Sequence, residues 1–390
     1  MSQADDRLLQ LALDFVPVLK DRAVEVEGNG KLPTDLAKDL ATGGFYNICS
    51  PMEHGGQAAS PLTYAKAVEI LATGDASAAW CSFIASSTAF AFACGGDQTI
   101  QSILASDRVI LAGAFAPQGV ATLQVRDGVS GYLVSGEWDW GSGSQNADWI
   151  GAGCVIDDRS QTVLGAEMKT SEIKHVLFAK EQVLFHDTWH VMGLQGTGST
   201  RFSVREAFVP LDRVVTIKDS RHRKDVIFNF PMFSMLSIGI GAVALGIAEA
   251  ALNETKTVVT AQQSSSLTKS LAERSSIRIA IAEAHVSLLA ARTLFHQEIV
   301  AAWRAAIDDR VELGHRVALR LAINHAVKIA KQVTVSMFET AGSTAIYSDS
   351  TFQRRLRDIQ VAAKHIMVSE ITYDVAARHL LKLPVDTSTF

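Results

Sequence analysis

The 390-residue chain has few of the residues that build metal centres or disulfide frameworks. Its four cysteines lie apart from one another without CxxC spacing, so the sequence favours neither a zinc site nor disulfide bonds. Basic residues are not in excess, since 36 Lys and Arg against 41 Asp and Glu give a net charge of -5. This balance excludes the basic footprint of a nucleic-acid-binding protein. A hydrophobic fraction of 48% instead indicates a large globular protein. Without a basic excess, we expect chemistry on small molecules.

The sequence also lacks the marks of export and of membrane insertion. Asp5 and Asp6 stand where a signal peptide would carry basic residues, and the apolar positions around them recur at helical spacing. Residues 231–252 are apolar over about the 20 residues that a membrane span needs. The glycines and alanines of this segment suit close packing, and polar residues continue its helical pattern. We therefore expect a buried helix in a cytoplasmic protein that contacts no membrane.

The spacing of apolar residues divides the chain into three regions. Residues 1–110 have mostly helical periodicity, residues 111–220 consist of short β-rich runs between turn residues, and residues 221–390 return to helical periodicity. Short strands at this spacing are typical of a β-sandwich or barrel. The predicted fold class is therefore α+β, with an N-terminal helical domain, a central β-sandwich or barrel domain and a C-terminal helical domain.

Both helical regions contain long apolar patterns. Residues 63–94 are expected to form one or two apolar helices, with a break at Gly74 and Asp75. In the C-terminal region the apolar segment is followed by three amphipathic stretches, at residues 271–307, 313–340 and 352–381. Four long helices are enough for an antiparallel four-helix bundle.

Tryptophan is rare in this chain but concentrated in one place. Three of the six tryptophans lie in the segment GEWDWGSGSQNADW, residues 136–149. Trp138 and Trp140 are two residues apart, so a β-strand would place both on one face. A broad flat partner is one explanation of this pair. Packing of the rings in the core of a sandwich is the other.

Three motifs, in order, resemble the acyl-CoA dehydrogenase superfamily over nearly the whole chain. The family's early helix and glycine turn are similar to the segment GKLPTDLAKDLATGGFYNICSPMEHGG. The family's strand pair ending in FVP is similar to the segment GLQGTGSTRFSVREAFVP. ETAGSTAIYSDSTFQRRLRDI is similar to the segment after the third bundle helix. The resemblance implies an acyl-CoA dehydrogenase-like order of helical domain, β domain and four-helix bundle, and it implies a homotetramer.

The superfamily contains dehydrogenases and a branch of flavin monooxygenases that receive reduced flavin from a separate reductase. A dehydrogenase needs a glutamate base at one of two family positions. This chain has Tyr347 or Ser348 at one position and no acid before Glu249 at the other. Asp349 lies close to the first position, so a dehydrogenase or oxidase with an atypical base remains the alternative. A catalytically silent binding or assembly protein is a third hypothesis.

The tryptophan segment resembles the G-x-W-x-F-x-SG pattern of the monooxygenase branch. By that resemblance Trp140 would stack against the isoalloxazine ring of a flavin, and Ser142 would hydrogen-bond near flavin N5. Phe115 lies in a stretch similar to the strand that flanks the other edge of the flavin. Trp138 is left to the core.

The segment around Gly342 and Ser343 resembles a loop that approaches the flavin pyrophosphate of a neighbouring subunit. Gly342 and Ser343 are its candidate contacts, because glycine permits close approach of the backbone. Arg354 is a candidate for binding a phosphate bidentately, with Arg355 as the alternative. Each residue also has an explanation without flavin. Gly342 could simply end a helix, and Arg354 could form a salt bridge on the surface.

RRLRDIQVAAKHIMV resembles the R-D-x-x-x-x-x-x-H signature of the same branch. Asp358 and His365 are seven residues apart, so one continuous helix would place them on similar faces. The resemblance implies that His365 faces the substrate, where it would orient or deprotonate a phenol or an indole N–H. Trp80 lies in the apolar helix where some phenol hydroxylases have a second histidine, which favours an indolic or apolar aromatic substrate.

These observations predict a reduced-flavin-dependent monooxygenase. The resemblance implies FAD, bound as FADH2 with FMN as the alternative, and reaction with O2 to a flavin C4a-hydroperoxide that oxygenates a small indolic or phenolic substrate. His186 and His190 have the spacing of some metal pairs. No metal is expected, because their segment has turn and strand character and no third ligand follows.

Overall fold

The structure, a computed structural model, describes residues 3–95, 98–106, 108–157, 172–217, 225–261 and 271–386. Within them, the N-terminal helices are α1 Gln3–Gly28, α2 Thr34–Thr42, α3 Pro61–Gly74, α4 Ala76–Gly95 and α5 Gln98–Leu104. The strands are β1 Leu111–Arg126, β2 Val129–Trp138, β3 Trp149–Ile156, β4 Ile173–Ala179, β5 Leu184–His186, β6 Arg201–Pro210 and β7 Val214–Val215. The C-terminal helices are α6 Met232–Ala261, α7 Ser275–Ile307, α8 Leu313–Ala341, α9 Thr351–Ala362 and α10 Ile371–Leu380.

The break between α3 and α4 is confirmed at the predicted place. The hydroxyl of Ser60 accepts a hydrogen bond from the backbone N–H of Thr63 and caps α3, with Pro61 in the first turn. The carboxylate of Asp75 accepts from the backbone N–H of Ala78 at 2.8 Å and starts α4. Asp75 therefore divides the apolar stretch into two helices, because its backbone N–H also bonds to the carbonyl of Leu71 at the end of α3.

The expected buried helix at 231–252 is confirmed as part of α6, which packs against α3, α4 and α8. Its glycines let neighbouring elements approach. A Cβ on Gly239 would lie 2.4 Å from the ring of Phe83, and one on Gly246 would lie 2.3 Å from the carbonyl oxygen of Glu69. Among the described residues, α4 and α6 are long and apolar enough to cross a membrane, but both are buried inside the fold. Such burial is typical of the core helices of a soluble protein.

The described strands form one mixed sheet in the order β5-β6-β2-β1-β3-β4-β7. They do not divide into two separately paired sheets, as a sandwich would. Among the strands that the structure describes, only β1 and β3 pair in parallel, with Leu111 opposite Trp149. The register shifts around Pro117, which has no backbone N–H to donate to a ladder. Helix α4 packs against β1, the longest strand of this sheet.

The C-terminal part contains one helix break that the sequence analysis did not predict. A single helix is expected over 352–381, but α9 ends at Ala362 and α10 begins at Ile371. Between them His365 has extended backbone, and its ring nitrogen Nδ1 accepts a hydrogen bond from the N–H of Met367. The histidine therefore caps a short 3-10 turn instead of continuing the helix.

One apolar core runs through all three regions and includes Leu8 in α1, Phe178 in β4 and Ile323 in α8. The helical N-terminal part, the central sheet and the helical C-terminal part thus pack on each other. The expected boundary between residues 220 and 221 lies outside the described residues.

Candidate functional site

The turn after β2 separates the two tryptophans that the sequence analysis expects on one face. Trp138 is fully buried, and its Nε1 donates to the carbonyl oxygen of Gly153 at 2.8 Å. The strand ends there, and Trp140 has a φ of 62° with its side chain 68% exposed. The expectation of a shared face is therefore wrong, because the backbone leaves the extended conformation between the two residues.

Backbone hydrogen bonds hold this turn against the loop before β6. The N–H of Gly141 donates to the carbonyl of Thr200 at 3.1 Å, and the N–H of Gly143 donates to the carbonyl of Thr197 at 2.9 Å. Ser142 lies between these two bonds and is buried, with 4% of its surface exposed. The turn thus presents an exposed indole beside a buried hydroxyl.

The buried hydroxyl of Ser142 connects the turn to helix α4. Trp80 Nε1 donates to Ser142 Oγ at 3.1 Å, and Ser142 Oγ and Ser199 Oγ are 2.6 Å apart. The ring centroids of Trp80 and His365 are 6.0 Å apart. The structure therefore brings together three of the residues singled out in the sequence: Trp80, Ser142 and His365.

His365 reaches this cluster from the break between α9 and α10, so its expected position on a helix face shared with Asp358 is wrong. Burial, and then the positive charge of Arg320, lower the pKa of His365 to about 4. The ring is therefore neutral near pH 7. Because Nδ1 accepts the hydrogen bond from Met367, the proton of the neutral ring lies on Nε2. His365 is thus equipped to donate a hydrogen bond rather than to accept a proton at Nε2.

Arg320 brings a buried positive charge to the neighbourhood of His365. It lies on α8 with 2% of its surface exposed, and its Nη1 donates to Ser237 Oγ at 2.6 Å and lies 3.9 Å from the sulfur of Met367. Burial lowers the pKa of Arg320 to about 10, which still leaves the guanidinium charged at neutral pH. This part of the cluster is therefore electropositive.

Asp358 anchors the loop that carries the partners of Ser142. The carboxylate is buried and accepts from the backbone N–H of Leu194 at 2.6 Å. Leu194 has a φ of 51°, and Arg357 Nη1 donates to the carbonyl of Met192 at 2.7 Å. Burial raises the pKa of Asp358 to about 7, although the hydrogen bond from Leu194 opposes this rise. Asp75 and Glu27 add to the rise, and Arg357 opposes it.

Replacing Asp358 by asparagine is expected to flatten the pH dependence of stability. The pKa of Asp358 is about 7 in the folded protein and has its ordinary value of 3.8 in the unfolded chain. The protonated carboxyl therefore stabilises the folded protein fully below pH 3.8, and this contribution is lost as the pH rises through 7. Between about pH 5 and 8 the wild-type protein should lose about 3 kcal/mol that Asp358→Asn does not lose. Urea unfolding of both proteins at the two pH values measures this difference. Asp349→Asn, at an exposed site, is the control, and equal losses in wild type and Asp358→Asn would contradict the assignment.

Comparison with known proteins identifies relatives over most of this chain. The family models "Acyl-CoA dehydrogenase, N-terminal domain" and "Acyl-CoA dehydrogenase, C-terminal domain" match residues 5–104 and 238–370. The indole-3-acetate monooxygenase of Pseudomonas putida is 28% identical over 363 residues, which cover 92% of this chain and 90% of that protein. The flavin-dependent monooxygenase oxygenase subunit HsaA of Mycobacterium tuberculosis is 26% identical over 98% of both chains.

A solved structure supports the same conclusion. The crystal structure of the 3-HSA hydroxylase from Rhodococcus sp. RHA1 matches with a TM-score of 0.88 at 25% identity, over 98% of this chain and 99% of that chain. This chain belongs to the acyl-CoA dehydrogenase superfamily, in its flavin-dependent monooxygenase branch. The acyl-CoA dehydrogenase-like fold predicted from the sequence is thereby confirmed.

The two dehydrogenase base positions of this monooxygenase hold no carboxylate that faces the cluster. Asp349 is exposed, in a segment where Ile346 is 68% and Tyr347 is 64% exposed. Glu249 on α6 is bound to Arg292 at 2.7 Å. The side chains around Ser142 are instead neutral or cationic, which suits oxygen transfer rather than removal of an α-proton.

Other residues expected to bind flavin lie apart from the hydrogen-bonded cluster in the described part of the monooxygenase. Phe115 is half-buried beside His175, with ring centroids 5.5 Å apart, and Arg354 is half-buried on α9. Gly342 ends α8 with a φ of 64°, and Ser343 after it is exposed. Exposure at this helix end is compatible with a contact to a second subunit.

The turn and the cluster fit the flavin of this enzyme family. A flavin needs a flat partner for its ring and a polar group near N5, and the side chains of Trp140 and Ser142, two residues apart, would fit these two needs. The backbone of Trp140, at a φ of 62°, holds its indole in solvent rather than in the core. Such a left-handed conformation is uncommon for a bulky residue.

The sequence analysis did not single out Thr197 and Ser199 as site residues. Both are buried, and their hydroxyl oxygens are 2.6 Å apart. The only sequence signal is the density of hydroxyls and glycines in GLQGTGST, which is equally typical of a turn. His186, weighed as a metal ligand, is hydrogen-bonded to Ser203 at 2.7 Å.

Proposed function

We propose that this chain is the oxygenase component of a two-component system that hydroxylates a small aromatic substrate, indolic or phenolic, with reduced FAD from a separate reductase. One atom of O2 enters the substrate as a hydroxyl group and the other leaves as water, while reduced flavin supplies two electrons and two protons and becomes oxidised flavin. The cluster of Trp80, Ser142 and His365 beside an exposed Trp140 carries this proposal. The names of the indole-3-acetate monooxygenase and of the oxygenase subunit HsaA support it.

The proposed flavin contacts follow from the positions of the side chains. Trp140 stacks on the isoalloxazine ring, Ser142 bonds at N5, and Phe115 borders the ring. Gly342, Ser343 and Arg354 contact the pyrophosphate of a flavin in a neighbouring subunit, which favours FAD over FMN and a homotetramer. We further propose a cytoplasmic enzyme with an N-terminal helical, a central β and a C-terminal bundle domain.

The substrate is proposed to lie between Trp80 and His365. The indole of Trp80 supplies an aromatic wall, and Nε2–H of His365 donates to an oxygen or ring acceptor of the substrate. The buried charge of Arg320 favours an anionic group near this end of the site. An aromatic acid such as the substrate named for the Pseudomonas putida relative combines these features.

Exclusion of water is the second task of the protein in this proposal. Activated oxygen that meets water instead of substrate is lost as H2O2, so the site must be dry. Helix α4 is buried along its described length and α6 along most of it. Helix α4 has no charged residue, and α6 has none before Glu249. Their burial supports a pocket that shields the reacting groups.

Flavin binding and product formation together test the proposed function. The purified protein is titrated anaerobically with reduced and oxidised FAD and FMN, and the reduced complex is then mixed with O2 and indole, indole-3-acetate or phenol. We expect tight binding of reduced FAD, a hydroxylated product and little H2O2.

Two other results would each support a different function. A protein that purifies with oxidised FAD and is bleached by an acyl-CoA would be a dehydrogenase, and Asp349 would then be tested as its base. A protein that binds neither form of flavin would be a silent family member. Either result would overturn the monooxygenase proposal.

A further inference from the structure

A continuous chain of hydrogen bonds runs from the loop before β6 to helix α4. Thr197 Oγ1 donates to the carbonyl of Leu194 at 2.7 Å, and Thr197 Oγ1 and Ser199 Oγ are 2.6 Å apart. Ser199 Oγ and Ser142 Oγ are also 2.6 Å apart, and Trp80 Nε1 lies 3.1 Å from Ser142 Oγ. We call Thr197, Ser199 and Ser142 the hydroxyl relay.

The ends of the hydroxyl relay fix the direction of every bond in it. A carbonyl only accepts, so the single proton of Thr197 is used on Leu194. Ser199 must then donate to Thr197, because each hydroxyl has one proton. For the same reason Ser142 must donate to Ser199. At the far end Trp80 only donates, so Ser142 accepts from it.

Ser142 is thereby restricted to accepting any further hydrogen bond. Its proton is used on Ser199, one lone pair accepts from Trp80, and one lone pair is left for a ligand. The three relay hydroxyls belong to buried residues, with 4% of Ser142, 1% of Thr197 and 4% of Ser199 exposed. Bulk water therefore does not compete for these bonds, and reversing one of them would leave a buried group unsatisfied.

The two redox states of a flavin differ at the atom that Ser142 is proposed to contact. Reduced flavin carries a hydrogen on N5 and donates, whereas N5 of oxidised flavin has only a lone pair and accepts. We propose that the hydroxyl relay makes this oxygenase selective for reduced over oxidised flavin by fixing Ser142 as an acceptor. The proposal rests on the proposed placement of flavin N5 at Ser142.

The relay is also held rigidly from outside. Leu194, whose carbonyl is its terminus, is fixed by the hydrogen bond of its own N–H to Asp358. The carbonyl of Thr197 accepts from Gly143, which binds the loop to the turn that carries Ser142. Thr197 and Ser199 are therefore positioning residues that act on flavin through Ser142.

Variants of the relay test the inference through flavin affinity rather than activity. Equilibrium dissociation constants for oxidised and for reduced FAD are measured with wild type, Ser199→Ala, Thr197→Val, Thr197→Ser and Ser142→Ala. Ser144→Ala is the matched control, because Ser144 is a buried serine in the same turn whose hydroxyl is outside the relay. Circular dichroism and thermal unfolding confirm that each variant is folded.

In Ser199→Ala and Thr197→Val the hydroxyl of Ser142 is free to donate to oxidised N5. We expect the ratio of the dissociation constants, oxidised over reduced, to fall about fivefold in both variants, the size of one hydrogen bond. Thr197→Ser keeps the relay proton and should retain the wild-type ratio. The reduction potential of bound flavin should rise in wild type relative to free flavin and return towards it in Ser199→Ala.

The outcomes separate the inference from the function on which it rests. If Ser142→Ala changes flavin affinity but Ser199→Ala and Thr197→Val keep the wild-type ratio, the relay inference is wrong and the flavin site stands. If Ser142→Ala behaves like Ser144→Ala towards both redox states, Ser142 does not contact N5 and the placement is wrong. A wild-type protein that binds no flavin overturns both.

Discussion

Replacing His365 by alanine is expected to lower the rate of substrate hydroxylation by about 100-fold, with affinity for reduced flavin within about twofold of wild type. The physical reason is the loss of the Nε2–H donor that we propose holds the substrate beside Trp80. Reduced flavin would still react with O2, so most of the oxygen consumed should appear as H2O2. Product and peroxide formed per reduced flavin are measured in the same single turnover.

A second variant separates hydrogen bonding from base catalysis. Asparagine at position 365 keeps an acceptor for the N–H of Met367 and adds an N–H donor, but it has no basic nitrogen. His365→Asn should therefore recover about 10-fold of the loss in His365→Ala. His285→Ala, at an exposed site on α7, is the control. No recovery in His365→Asn would contradict a donor role.

The pH profile follows from the same ring. Because the pKa of His365 is lowered to about 4, its ring stays neutral between about pH 5.5 and 8. Titration of His365 should therefore not change the hydroxylation rate in this pH range. A general base of ordinary pKa would instead make the rate fall below about pH 6.5. A fall of that kind in wild type, absent in His365→Asn, would show that the imidazole takes a proton.

Replacing Gly193 by alanine is expected to destabilise the protein by about 3 kcal/mol and to weaken flavin binding. A Cβ at this position would lie 2.3 Å from the carbonyl carbon and oxygen of Arg357 and 2.7 Å from the backbone nitrogen of Asp358. Backbone atoms of α9 cannot rotate away as a side chain can. The loop would have to move, which would break the hydrogen bond between Leu194 and Asp358.

Urea unfolding measures the stability of Gly193→Ala, and titration with reduced FAD measures the effect on the site. Gly314→Ala is the matched control, because a Cβ there meets nothing within 4 Å and the residue lies in the first turn of α8. Alanine is a better helix former than glycine, so this control should be neutral or slightly stabilising. A Gly193→Ala protein as stable as the control would contradict the close contact with α9.

The helices show which parts of the fold can be predicted from local sequence. The break between α3 and α4 was predictable, because Gly74 and the capping carboxylate of Asp75 are signals within the segment itself. The break between α9 and α10 contains neither proline nor glycine. Its cause is a histidine that caps a turn with its own ring, and capping by histidine has no common sequence signature.

The site shows the same limit at longer range. Trp140 and Ser142 could be singled out because they are near each other in a recognisable motif. The partners of Ser142 could not, because Ser199 is 57 residues away and its role depends on a turn docking against a loop. Asp358 was visible as part of a signature, but its bond to Leu194 spans 164 residues and only the fold brings the two together.

The distances along the chain between bonded site residues have a consequence for folding. The bond between Trp80 and Ser142 spans 62 residues, and that between Leu194 and Asp358 joins the β region to the last bundle segment. An incompletely folded chain therefore has not assembled the proposed flavin site, even if one region has already formed. A ligand that binds only the native state stabilises that state as a whole. Flavin bound at this site would thereby raise the free energy of unfolding of all three regions together.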